Sequence, residues 1–96
     1  MMILVTYDVN TETLAGQRRL RKVAKACQNY GQRVQNSVFE CIIDPARLKQ
    51  LQNILANLMD AEKDSIRYYY LGDDWRNRVV HVGAKASLDL EGTLIT

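Results

Sequence analysis

Residues 2–9, MILVTYDV, form a short apolar run rich in β-branched and aromatic side chains, with Asp8 as its only charge. A run of this kind predicts a central β-strand. It is far shorter than the roughly 20 apolar residues that span a bilayer. Asp8 also stands where a secretion signal would need small residues. We therefore predict a buried strand, no membrane association and a cytoplasmic location.

Two amphipathic helices and further strands are predicted beyond this strand. Residues 14–30 place apolar side chains on one helical stripe, with Thr11 or Thr13 as N-cap and Gly31 as the terminating residue. The second helix begins with Asp44 as N-cap and ends near residues 62–63. Strand patterns occupy the remaining segments: 32–43, as two short strands or one bent strand, 65–71, 79–82, and an edge strand at Leu94 and Ile95.

This order predicts an α+β fold, a ferredoxin-like βαββαβ sandwich with an extra C-terminal strand. The 96 residues are enough for a single domain, 1–96. Two helices cover only one face of the sheet, whereas the first strand and the tyrosine strand are apolar on both faces. A face-to-face homodimer would cover the second face.

Charge is distributed unevenly although the net charge is only +2. Residues 13–39 contain six basic residues and no acidic one. This segment predicts a local anion-binding surface, or alternatively an ordinary solvated helix face. Only two cysteines are present, Cys27 and Cys41, and their spacing excludes a CxxC pair.

Asp8 is the main candidate for chemistry, because an ionised carboxylate at the end of an apolar strand is costly to bury without a partner. It could bind a divalent cation, with a second copy supplying another carboxylate, or it could simply form a turn. Arg19, Arg21 and Arg33 could bind phosphates, and Ser37 could donate to one. Phe39 could stack on a base or fill the core.

The segments Tyr7-Asp8-Val9, Arg19-Leu20-Arg21 and residues 31–40, GQRVQNSVFE, resemble the small CRISPR-associated nucleases of the Cas-two family. Residues 19–44 are most similar to subtype I-C members. The resemblance implies a ferredoxin-like homodimer in which Asp8 and its symmetry mate are the catalytic residues and hold Mg²⁺, with Mn²⁺ as a substitute. It assigns nucleic-acid binding or activity to five further positions: Arg19, Arg21, Arg33, Ser37 and Phe39.

The resemblance also implies two activities. One is metal-dependent cleavage of single-stranded RNA or double-stranded DNA. The other is a non-catalytic role, in which the homodimer bridges two dimers of the Cas-one integrase and holds spacer DNA. A toxin-like mRNA interferase on the same scaffold is a weaker third hypothesis.

Overall fold

The computed structural model describes residues 1–84, in which two helices pack on one side of a four-stranded sheet. All neighbouring strands are antiparallel, in the order β2-β3-β1-β4. The predicted α+β, ferredoxin-like arrangement is therefore confirmed. The elements are β1 (Met2–Asp8), α1 (Leu14–Gln28), β2 (Gln32–Gln35), β3 (Val38–Ile42), α2 (Pro45–Leu58), β4 (Ser65–Gly72) and a 3₁₀ turn (Trp75–Asn77).

The main core lies between the sheet and the helices. Side chains alternate along β1, so Ile3, Val5 and Tyr7 point towards the helices and are buried. They pack against Phe39 and Cys41 of β3 and against one apolar stripe on each helix, which follows the 3.6-residue period. The stripe residues are Val23, Ala26 and Cys27 in α1 and Leu48, Leu51 and Leu55 in α2.

Helix α1 begins at the predicted cap and ends two residues before the predicted end. The Thr13 hydroxyl accepts a hydrogen bond from the Gly16 amide at 3.1 Å. The helix ends at Gln28, and Gly31 does not adopt the left-handed conformation expected of a terminating glycine. A Cβ on Gly31 would lie 2.5 Å from the Cys41 Sγ, so the glycine is needed for close approach to β3.

Helix α2 begins as predicted, because the Asp44 carboxylate accepts from the Arg47 amide at 2.8 Å. Its predicted end near residues 62–63 is wrong, since the helix ends at Leu58. The Asp60 carboxylate accepts a hydrogen bond from the Glu62 amide, and the Asp64 carboxylate accepts one from the Asp60 amide. Such bonds from side chain to backbone compete with helix continuation.

The second face of the sheet carries Leu4, Thr6, Val38 and Ile42, which are all partly exposed. The predicted strand at residues 79–82 does not form, and Val80 and Val82 are almost fully exposed. A strand requires a partner ladder, and this segment pairs with no strand within residues 1–84. The predicted strand at Leu94 and Ile95 lies outside the described residues. No helix of residues 1–84 is long and apolar enough to cross a membrane.

Candidate functional site

Asp8 is the last residue of β1, and its side chain is exposed. Alternation along the strand places it on the face of the sheet that carries no helix. Ser65, the first residue of β4, lies opposite it in the antiparallel ladder. The Asp8 carboxylate makes no hydrogen bond or ion pair with any residue in the 1–84 range. Among the described residues, the carboxylate is thus not engaged by a protein group.

A buried carboxylate, Asp64, lies next to this strand end and is bound by Arg19. The Arg19 Nε donates to Asp64 Oδ2 at 2.8 Å, and Nη2 donates to Oδ1 at 3.3 Å. Backbone amides complete the site: Asn10 donates to Oδ1 at 3.0 Å and Asp60 to Oδ2 at 2.9 Å. The side chain of Asp64 is fully buried, and that of Arg19 is 18% exposed.

These four hydrogen bonds keep Asp64 ionised. Burial by itself raises the pKa of Asp64, but the bonds from Arg19 and from the Asp60 and Asn10 amides outweigh it. The pKa therefore lies below its ordinary value. The pKa of Arg19 is raised in turn, mainly by the hydrogen bond to Asp64. Arg19 is thus engaged by Asp64 and only partly exposed to solvent.

Gly16 allows the first turns of α1 to approach the loop that follows β1. A Cβ at this position would lie 1.9 Å from the Asn10 carbonyl oxygen and 3.4 Å from Arg19 Nη2. Any side chain here would therefore separate α1 from this loop. An isolated glycine within a helical pattern, here Gly16, is the sequence signal that could have indicated this close approach of α1 to the loop.

Ser37 lies at the same end of the sheet as Asp8. It occupies the turn between β2 and β3 with φ of 65°, which is unusual for a residue other than glycine. Its carbonyl oxygen accepts from the Tyr7 amide at 3.1 Å, immediately before Asp8. The structure therefore brings Ser37 beside the strand end through its backbone.

Phe39 and Arg33 lie on the helix-covered side of the sheet, paired across β2 and β3. Phe39 is fully buried, whereas Arg33 is exposed. The Arg33 guanidinium lies 5.1 Å from the centroid of the Phe39 ring, a cation–π contact. Arg33 thus covers the edge of the core and remains accessible to anions.

Arg21 lies apart from Asp8, in a basic groove between α1 and the end of α2. The open groove has a volume of about 420 Å³ and is lined by Arg18, Arg21, Lys22, Lys25, Ala26, Asn29 and Leu58. The four cations follow the i, i+3, i+4, i+7 spacing of one helix face, which we call the α1 basic face. It places four positive charges side by side along an open groove.

The site residues predicted from the sequence thus fall into four groups. Asp8 and Ser37 lie at the open strand end, and Arg19 is partly buried in its ion pair with Asp64. Phe39 lies in the core, and Arg21 and Arg33 lie on the surface. Asp64 was missed. Its partner Arg19 is 45 residues away in the chain, and no local pattern reports such a contact. Within residues 1–84 no cluster of three His, Cys, Asp or Glu side chains could hold a metal ion.

Comparison with known proteins decides the family. Residues 1–79 match the family model described as CRISPR associated protein Cas2. The chain belongs to the Cas2 family. It is 64% identical over 95 residues to the CRISPR-associated endoribonuclease Cas2 of Chlorobaculum tepidum, an alignment that covers 99% of both chains. It is 60% identical to the CRISPR-associated endonuclease Cas2 of Halalkalibacterium halodurans, again over 99% of each chain.

A solved Cas2 structure has the same fold. The crystal structure of Streptococcus pyogenes Cas2 at pH 6.5 superimposes with a TM-score of 0.76 and 58% sequence identity. The match covers 86% of this chain and all of the streptococcal chain. The resemblance to CRISPR-associated nucleases is therefore confirmed at the level of the Cas2 family.

Proposed function

We propose that this chain is a metal-dependent endonuclease of CRISPR spacer acquisition that hydrolyses phosphodiester bonds in single-stranded RNA or double-stranded DNA. The observation that carries this proposal is the exposed Asp8 carboxylate, which has no partner within residues 1–84. The names of relatives support it: one is called an endoribonuclease and another an endonuclease. Those names leave the choice between RNA and DNA open.

In this proposal Asp8 is the catalytic residue and holds Mg²⁺, which Mn²⁺ could replace. An exposed carboxylate fits Mg²⁺, because this ion keeps several waters and takes one or two protein carboxylates. Within residues 1–84 a single copy offers one exposed carboxylate at this strand end, so the proposed site uses Asp8 from two copies of the chain. The bound ion would polarise the scissile phosphate and a water molecule.

A homodimer is proposed because the second sheet face carries partly exposed apolar side chains beside its polar ones. Tyr69, opposite Leu4 in the ladder, is 43% exposed on this face. A face-to-face partner would bury these side chains and bring two β1 strands together. The further proposed partner is the Cas-one integrase, as dimers. We also propose a cytoplasmic location, which suits the two free cysteines because thiols stay reduced in the cytosol. Membership of subtype I-C is also proposed, from residues 19–44.

Nucleic acid would contact Arg21 and the other cations of the α1 basic face, together with Arg33 and Ser37. These groups are accessible, and arginine forks match phosphate oxygens. Arg19 and Phe39 would support the site rather than touch nucleic acid, because Arg19 is bound to Asp64 and Phe39 is buried.

A second candidate function is the non-catalytic bridging of DNA in the integrase complex. The observation that favours it is the position of the α1 basic face, which belongs to the helix layer, whereas Asp8 points to the opposite side of the sheet. A duplex held along α1 would therefore lie away from Asp8.

Cleavage assays with matched aspartate variants separate the two functions. Labelled single-stranded RNA and double-stranded DNA are incubated with Mg²⁺, Mn²⁺ or EDTA and with the wild type, Asp8→Asn or Asp73→Asn. Asp73 pairs with the Met1 amino group at 3.2 Å at the other end of β1. Metal-dependent cutting that is lost only in Asp8→Asn supports the nuclease. Binding without cutting by any of the three proteins supports the bridge.

A further inference from the structure

Asp64 joins three separate segments of the chain beside Asp8. Its carboxylate binds Asn10 in the loop after β1, Arg19 in α1, and Asp60 in the loop before β4. Each oxygen accepts two hydrogen bonds, one from Arg19 and one from a backbone amide. A buried carboxylate with this many donors holds a single orientation.

Two short backbone paths lead from Asp64 to Asp8. Asn10, which donates to Asp64, is two residues beyond Asp8 along the chain. Ser65 directly follows Asp64 and lies opposite Asp8 in the ladder between β1 and β4. Displacement of Asp64 would therefore reach the backbone of Asp8 by two routes, one through Asn10 along the chain and one through Ser65 across the ladder.

We infer that Asp64 and Arg19 form a positioning pair that fixes the direction in which Asp8 presents its carboxylate. This inference rests on the proposed function, since it assigns the pair a role in cleavage through Asp8. It also gives Arg19 a different role from that of Arg21. Asp64 occupies the Nε–Nη2 edge of the Arg19 guanidinium, so this edge is not available to a phosphate.

The test compares Asp64→Asn, Arg19→Gln, Arg19→Lys and the double variant Asp64→Asn/Arg19→Gln with the wild type. Asp73→Asn is the matched control, because it breaks another aspartate ion pair at the far end of β1. Single-turnover cleavage is measured at saturating labelled nucleic acid with Mg²⁺. Affinity and its salt dependence are measured by fluorescence anisotropy in EDTA. Circular dichroism confirms that each variant is folded.

A positioning role lowers the cleavage rate constant about 10- to 100-fold in Asp64→Asn and in Arg19→Gln. The dissociation constant and its salt dependence stay at the wild-type values. The double variant is no slower than the slower single variant, because both changes break the same pair. Arg19→Lys is also slow, since an ammonium retains the charge but not the fork.

One result would overturn the inference: Arg19→Gln binds nucleic acid more weakly, with a salt slope lower by about one, while Asp64→Asn behaves like the wild type. Arg19 would then be a phosphate ligand.

If the wild type does not cleave, the proposed nuclease function fails, and amide hydrogen exchange then tests the positioning pair. Faster exchange at Asn10 and shifted resonances of Asp8 and Ser65 in Asp64→Asn and Arg19→Gln support positioning. Unchanged spectra refute it.

Discussion

The ring of Phe39 stacks on the ring of Tyr7, with centroids 6.1 Å apart and planes inclined by 24°. Both residues are buried, and Tyr7 immediately precedes Asp8. The aromatic pair therefore anchors the end of β1 from the helix side, while Asp8 faces the other side. A base could not reach the Phe39 ring without opening the core.

Replacement of Phe39 by alanine is expected to lower the free energy of unfolding by about 3–5 kcal/mol, because it leaves a cavity in the core. Phe39→Leu keeps most of the buried apolar surface and should lose less stability. Urea denaturation measures both values. The affinity for nucleic acid, measured where each variant is folded, should not change. An alanine variant with wild-type stability but weaker binding would make Phe39 a stacking residue.

Loss of the Asp8 carboxylate should cost little stability. The side chain is exposed and has no partner within residues 1–84, so Asp8→Ala should change the free energy of unfolding by no more than about 0.5 kcal/mol. Binding of Mn²⁺, followed by its electron paramagnetic resonance signal, should be lost in the same variant. Retention of the bound Mn²⁺ signal would place the metal elsewhere.

The α1 basic face should contribute to nucleic-acid affinity through charge alone. Lys22→Ala and Lys25→Ala are each expected to lower the slope of log K against log salt by about one, equally for all sequences. Lys49→Ala is the control, since Lys49 is an exposed lysine of α2 that does not line the groove. Equal slopes for all three variants and the wild type would exclude this face as the binding surface.

Most of the order of elements was predictable from local patterns, but the sequence left open whether residues 32–43 form two strands or one bent strand, and the structure has two. The Thr13 and Asp44 caps were also predictable from local sequence. Each side chain accepts a hydrogen bond from the backbone amide three residues further along the chain. The end of α2 was not predictable from periodicity. The amides of Asp60 and Glu62, which the pattern assigned to the helix, donate instead to the carboxylates of Asp64 and Asp60.

The candidate site was predictable only in part. Asp8 could be singled out because a charge at the end of an apolar strand is visible in one short segment. The ion pair of Arg19 was not visible, because its partner Asp64 is distant in the chain. The segment 79–82 alternates like a strand, but a strand also needs an edge to pair with, which no sequence pattern supplies.

Stability should fall in acid because of Asp64. The pKa of Asp64 is lowered by folding, so its contribution is complete above the unfolded value of about 3.9 and is lost as the pH falls through the folded value. Denaturation of the wild type and Asp64→Asn should therefore show a stability difference at neutral pH that shrinks below about pH 4. A difference that stays constant into stronger acid would contradict the lowered pKa.

The two thiols should be inert in the folded protein. Burial is the main cause that raises the pKa of Cys27 to about 12 and that of Cys41 to about 11. Because the thiolate is the reacting form, both side chains should react with Ellman's reagent much more slowly than a free thiol at mildly alkaline pH. Both should react at once in denaturant. Phe39→Ala should increase the rate by the same factor by which it raises the population of the unfolded state, because reaction then proceeds through that state. Rapid reaction of the native wild type would show that the layer between α1 and β3 opens without global unfolding.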